Sequence, residues 1–146
     1  MSNKNTLLIT ADSVRADFCG FLDGPNTTPF LSELAADSEV YHKAISPGPR
    51  TPSSIAPSLT GRRFRRYPSD SNEGRLERIA DHVSRYQTLP EMFSEYGYTT
   101  AAVTANPWTT TTTGFNTLFD QFIEIGSGYG EDNSDGENIF QTALEY

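Results

Sequence analysis

The chain holds one cysteine, Cys19, among 146 residues, which excludes an internal disulfide and fits a reducing compartment. Positive charge is scarce too. Eleven Lys and Arg stand against 19 Asp and Glu, giving a net charge of −8 and a pI near 4.6. That balance argues against broad binding to nucleic acid or to an anionic membrane surface. Lys4 and Lys43 are the only lysines; an acidic chain whose remaining cations are arginines suits a salt-adapted cytoplasm, and a stability optimum at low salt would count against that. No apolar run approaches the roughly 18 residues of a transmembrane helix. Met1-Ser2-Asn3-Lys4-Asn5 lacks the charged-then-apolar order of a secretory signal, so a cytoplasmic location is expected. The length suits one domain, burying roughly 68–70% of its unfolded surface if it folds alone.

What is present is a series of short helix and strand signals. Thr6 to Thr10 is apolar and β-branched, as a buried parallel strand should be, with Asp12 just past its end. Thr28 and Pro29 open a helix that carries Phe30, Leu31, Leu34 and Ala35 on one face and ends near Asp37. Val40 to Ile45 reads as a second strand, closed by Ser46-Pro47-Gly48-Pro49. A helix is expected from Thr51 to about Leu59, strained at Pro57, and another over Arg75 to Val83, with residues 62–72 polar and irregular between them. Thr88-Leu89-Pro90-Glu91 has the form of a capping box, with Gly97 as the C-terminal stop. Strand Thr99 to Thr104 follows, then a low-complexity loop at Thr109 to Thr113 and a short strand near Phe122 to Ile125. Residues 126–136 form an acidic, glycine-rich loop, and a helix begins at Glu137. This order predicts an α/β fold with a mostly parallel sheet, its strands at 6–10, 40–45 and 99–104 being neighbours or near neighbours. The working site then lies beyond the carboxyl ends of the strands, where Asp12, Thr51 and Asn106 fall.

Each candidate has a chemical reading and a plain one. Asp12 at a strand end offers a hard cation an anionic oxygen on rigid backbone; alternatively it caps a helix beginning near Ser13, with Arg15 as its exposed ion-pair partner. Thr51 at a helix start becomes a competent nucleophile when a divalent cation lowers its pKa; alternatively it caps that helix through the backbone of Ser53 or Ser54. The hydroxyls of Ser53 and Ser54, in the first turn, suit a phosphoryl oxygen. Asn106 offers an amide donor to an oxyanion, or serves as a turn residue before Pro107, and Trp108 lines a pocket or covers the edge of the core. Arg62, Arg63, Arg65 and Arg66 form the one positive patch, able to steer an anionic substrate toward Thr51 or simply to solvate a loop. His42 falls within a predicted strand and His82 on the polar side of a predicted helix, neither at metal-ligand spacing.

The segments Thr6 to Asp17 and Arg50-Thr51-Pro52-Ser53-Ser54-Ile55-Ala56-Pro57-Ser58-Leu59-Thr60-Gly61 resemble the first metal-ligand strand and the nucleophile loop of the sulfatase-like branch of the alkaline phosphatase superfamily. Thr28 to Ala35, Thr88 to Thr100, Gly114-Phe115 and Phe119-Asp120 follow the same order. The resemblance covers about residues 5 to 125 and implies a three-layer α/β sandwich. It implies Thr51 as nucleophile, a divalent metal ion (Ca, Mg, Mn or Zn) held by Asp12, Ser13 and Thr51, and an anionic ester bound with help from Asn106, Ser54 and Arg62. Asp17 completes an Arg-x-Asp pattern that tethers a loop.

This chain departs from the pattern at four places, one of them being Asn106, where resembling sulfatases have a lysine and a histidine that hold the transferred group. Ser13 stands where many such enzymes have a second acid, Thr51 where formylglycine sulfatases have Cys or Ser, and Ile55 where they have Arg. Threonine cannot yield the aldehyde, so no formylglycine is expected, and the likeness is to the threonine-using relatives that attack phosphorus: phosphodiesterases, phosphonate hydrolases and phosphoglycerol transferases. Family members run to several hundred residues with a second Asp/His ligand cluster. The expectation is therefore the N-terminal part of a metal-dependent hydrolase or transferase, with 1–125 as the catalytic-domain portion, 126–136 as a loop and 137–146 as a truncated helix. It would lack the C-terminal half of that domain, and in isolation it should be inactive and prone to self-association through an uncovered sheet edge. The competing expectation is a non-catalytic, degenerate anion-binding module of the same fold.

Overall fold

The computed structural model describes residues 4–64, 72–126, 139 and 141–143. They fall in two units, Met1–Ile45 and Ser46–Tyr146. Among the described residues no helix is long and apolar enough to cross a membrane.

In the first unit neither expected strand forms. Residues 6–10 take no regular structure, and Leu7 is 82% exposed, with Leu8 and Ile9 also open to water. An apolar strand of the parallel type is stable only between neighbouring ladders that bury both of its faces, and this segment has no strand pairing. The second expected strand, 40–45, is bent at His42 and Lys43, where the Ala44 amide reaches back to the Tyr41 carbonyl at 3.5 Å and leaves Ile45 91% exposed. What does form is helical: single 3-10 turns at Ala16–Phe18 and Gly20–Leu22, then α1 over Pro29–Ala36. Pro29 begins α1 because its fixed φ suits the first helical position. Thr28 is the N-cap, yet its hydroxyl makes no cap bond and instead accepts the Gly20 amide at 3.4 Å. Phe30, Leu31 and Leu34 remain exposed.

The second unit has a core. Helix α2, Thr51–Thr60, contributes Ala56 and Leu59; α3, Asn72–Arg85, contributes Ile79 and Val83; the 3-10 turn Phe115–Leu118 contributes its two end residues. Ile55, Phe64, Trp108, Phe119 and Phe122 pack around these six, so Trp108 covers the edge of the core. Full burial of each large apolar side chain contributes about 1.5–3 kcal/mol.

The two ends of helix α4, Leu89–Glu95, follow their sequence signals, although Leu89, Met92 and Tyr96 on its expected apolar face are exposed. The Thr88 hydroxyl accepts the Glu91 amide while the Glu91 carboxylate accepts the Thr88 amide at 2.7 Å, closing the capping box. At the other end Tyr98 N–H reaches the Phe93 carbonyl at 3.1 Å and Gly97 N–H the Ser94 carbonyl at 2.9 Å. Gly97 takes φ +82°, and the Phe93 and Tyr98 rings meet edge to face. This is the Schellman arrangement with its accompanying apolar contact, and it requires a residue that tolerates the left-handed region.

Strand β1, Ala101–Thr104, pairs in parallel with β2, Gln121–Glu124, in the register Ala101↔Gln121 to Thr104↔Glu124. Among the described residues the sheet has these two strands alone, so the protein is a mixed helix–strand structure with a small parallel sheet. The connection carries 3-10 turns at Thr111–Thr113 and Phe115–Leu118. The expected loose loop at Thr109 to Thr113 is packed. Thr109, Thr110 and Thr113 are buried, the Thr110 amide donates to the Thr113 hydroxyl at 2.9 Å, and that hydroxyl donates to the Thr110 carbonyl at 2.9 Å. Burial is tolerated because each polar group finds a partner within one turn. The expectations for 65–71, 127–138, 140 and 144–146 lie outside the described residues; residues 139 and 141–143 are helical.

Candidate functional site

In the first unit Asp12 and Ser13 form a turn. The Asp12 carboxylate accepts the Ser13 amide at 2.8 Å, and Ser13 takes φ +60°, a left-handed conformation that costs a non-glycine residue about 1–2 kcal/mol. No helix starts at Ser13: the nearest is the 3-10 turn whose N-cap is Arg15, which makes no side-chain cap bond. Asp12 is therefore not a helix cap. Arg15 grips Asp17 at both carboxylate oxygens, Nε at 3.0 Å and Nη2 at 2.6 Å. That pair is exposed and stabilises little, but it closes the turn that follows Asp12.

In the second unit the chain approaches α2 through Ser46-Pro47-Gly48-Pro49 and an extended Arg50 with φ −142° and ψ 153°. Arg50 is the N-cap and Thr51 the first helical residue, with Pro52 buried behind it. The capping alternative thus passes from Thr51 to the residue before it. The Arg50 carbonyl accepts both the Ser53 amide and the Ser53 hydroxyl at 3.0 Å. Ser46 and Ser54 share a hydroxyl–hydroxyl bond of 2.9 Å. Thr51, Ser53 and Ser54 therefore stand together in one turn at the positive end of a ten-residue helix.

The other two candidates of this unit belong to other segments of the chain. Arg62 follows the C-terminal end of α2, a helix about 15 Å long at 1.5 Å per residue, and its guanidinium lies 6.0 Å from the Tyr86 ring centre. Asn106 follows β1; its carboxamide oxygen accepts the Trp108 amide at 2.9 Å and its own amide donates to the Thr104 hydroxyl at 3.1 Å. It thus closes an Asx turn before Pro107 and Trp108.

Two features escaped the sequence reading. His82 is 5% exposed, not on a polar face. Nε2 lies 2.9 Å from the Thr60 hydroxyl, and the ring packs between Phe64 and Tyr86 at 5.2 and 5.1 Å. The Thr60 hydroxyl thus stands within hydrogen-bond reach of both the Ala56 carbonyl, at 3.0 Å, and the imidazole. Burial lowers the His82 pKa from 6.5, against the opposing pull of Asp81 and the Arg62 backbone. The spacing of three from Ile79 was the signal available, since i and i+3 share a helix face. The second feature is a cleft of about 530 Å³ whose lining includes Tyr86, Glu91, Glu95, Phe119 and Asp120. It is formed by long-range packing that no local pattern announces.

Among the described residues no three His, Cys, Asp or Glu side chains converge as metal ligands. A hard divalent cation takes six or more oxygens, so the described donors do not by themselves fit a closed metal site.

A family model described as Sulfatase matches residues 4–142. No curated protein and no solved structure matches the chain.

Proposed function

Because this chain belongs to the sulfatase family, we propose that it is the N-terminal part of a hydrolase or transferase that acts on anionic phospho- or sulfo-esters with Thr51 as nucleophile. One observation carries the reading: Thr51 is the first residue of α2, after an extended Arg50. A side chain there stands at a helix N-terminus, where the macrodipole and unpaired amides favour anionic oxygens. Thr51 Oγ forms a bond to phosphorus as the ester's alcohol oxygen leaves, and the hydroxyl proton ends on that alcohol. Water or an acceptor alcohol then attacks the phosphorylated Thr51 and regenerates the hydroxyl. Threonine has no route to formylglycine, which favours phosphorus over sulfur and makes that modification unnecessary.

The Asn106 amide is a donor for a substrate oxygen. Arg62, a helix length away, acts by steering the anion. Sulfatase-family members typically use a metal ion; Asp12, supported by Ser13, would offer it one ligand.

The test uses the whole product of the gene, assayed on bis(p-nitrophenyl) phosphate and p-nitrophenyl sulfate with Mg²⁺, Mn²⁺, Ca²⁺ or Zn²⁺ present in turn. Turnover of the phosphodiester is expected, lost in Thr51→Ala and partly kept in Thr51→Ser. Full activity in Thr51→Ala would remove the nucleophile. Saturable phosphate binding with no turnover of either ester would leave the anion-binding module in its place.

A further inference from the structure

We propose that Ser46 is a positioning residue for the Thr51 turn: its hydroxyl accepts a hydrogen bond from the Ser54 hydroxyl and latches the loop before α2 to the first turn of the helix. The inference rests on the reading of Thr51 as nucleophile and changes the role of Ser54, which then acts through Ser46 and not as a donor to the substrate.

Proton counting fixes the direction of the bond. Ser46 has one hydroxyl proton, which goes to the Gly48 carbonyl at 2.7 Å. In the 2.9 Å contact between Ser46 and Ser54 the donor must then be Ser54. The Ser46 oxygen also accepts the Gly48 amide at 3.4 Å. Ser53 is committed as well, its hydroxyl proton resting on the Arg50 carbonyl at 3.0 Å. Both serine hydroxyls of the first turn thus point their protons at the incoming loop, and neither has one left for a phosphoryl oxygen.

The loop lies close enough for this to matter. A Cβ on Gly48 would come closer than 3.0 Å to the Ser53 hydroxyl, Cβ and carbonyl oxygen, so glycine alone fits there. Pro47 and Pro49 stiffen the same segment on either side. Residue 51 is held from both directions, through Arg50 to Ser53 and through Ser46 to Ser54. A nucleophile displaced by a fraction of an ångström loses rate steeply, which is what such a latch prevents.

The test compares Ser46→Ala, Ser54→Ala, the double variant and Ser46→Thr in the whole gene product, with Thr51→Ala as control. Phosphodiesterase kinetics and hydrogen exchange of the Ser53 and Ser54 amides are both read. Each single alanine variant should lower kcat roughly 10- to 100-fold with KM within about two-fold of the parent. The double variant should be no slower than either single one, Ser46→Thr should recover most of the rate, and Ser46→Ala should speed amide exchange. A raised KM with kcat intact in Ser54→Ala would place Ser54 on the substrate and overturn the latch. Multiplying losses in the double variant, or unchanged exchange in Ser46→Ala, would do the same. If Thr51→Ala keeps parental activity, the nucleophile reading fails by itself, and the latch stands or falls on the exchange rates.

Discussion

His82 and Thr60 are joined at 2.9 Å across the α2–α3 contact, by a hydrogen bond between the imidazole Nε2 and the helix-ending hydroxyl. Desolvation holds the folded pKa of His82 below 6.5. The folded state therefore binds fewer protons than the unfolded chain as pH falls. Its contribution to stability is complete above pH 6.5 and is lost as pH falls from there through the folded pKa. Melting temperatures taken between pH 8 and pH 5 should decline on the acid side, and His82→Phe should flatten that decline. Equal slopes for parent and variant would assign the acid sensitivity elsewhere.

Asp120 sets the register of the sheet through Thr100. Its carboxylate accepts the Thr100 amide at 2.7 Å and hydroxyl at 3.0 Å, and the Thr100 hydroxyl accepts the Asp120 amide at 3.1 Å. These bonds, led by the Thr100 amide, lower the Asp120 pKa below 3.8. The stabilisation is present above pH 3.8 and is lost as pH falls through the folded pKa. Asp120→Asn should lower the melting point at pH 7 and remove this part of the acid transition, as followed by circular dichroism; a variant with parental behaviour at both pH values would refute the anchor.

How much was legible depended on how local the determinants were. The capping box at Thr88 and the stop at Gly97 are written within a single turn, and both formed as read. The runs 6–10 and 40–45 carry strand composition, but a strand is a pairing and its partner is not in the run. Leu7 and Ile45 are exposed in consequence. The threonines at 109–113 look like low complexity because the sequence does not show Thr113 folding back on Thr110. His82 was misread by weighing its polarity over its spacing from Ile79. Of the candidate site, the serine-rich start of α2 was visible; the latch to Ser46 was not, since it depends on where the Gly48 loop lies.

Capping supplies a quantitative check on α4. Thr88→Ala removes the hydroxyl that accepts the Glu91 amide, at a cost of about 1 kcal/mol. Gly97→Ala should cost about 1 kcal/mol by forcing a Cβ into the left-handed region. Urea titration of both variants would show it as a lower midpoint with an unchanged slope. A change under about 0.3 kcal/mol for both would mean that α4 is not part of the cooperative unit.

Thr113 is 0% exposed, and its hydroxyl serves one amide and one carbonyl of Thr110. Thr113→Val keeps the shape and strands the Thr110 amide, while the Thr110 carbonyl keeps the Thr113 and Phe115 amides, so it should destabilise by about 1–3 kcal/mol. A neutral result in the same titration would mean that water replaces the hydroxyl at Thr110.

Ser13 follows Asp12 directly and sits at φ +60°. Aspartate is among the few side chains that tolerate this region, so Ser13→Asp should fold without a new backbone penalty, whereas Ser13→Val should be destabilised because a β-branched residue is a true outlier there. If Asp12 ligates a cation, a second carboxylate next to it should tighten Mn²⁺ binding by the whole gene product, since affinity for hard cations rises with ligand charge. Titration calorimetry on parent, Ser13→Asp and Asp12→Asn makes the comparison, with affinity expected to rise in the first variant and fall in the second. Binding unchanged in both would remove the Asp12 turn from the metal site and leave its left-handed geometry a feature of the fold alone.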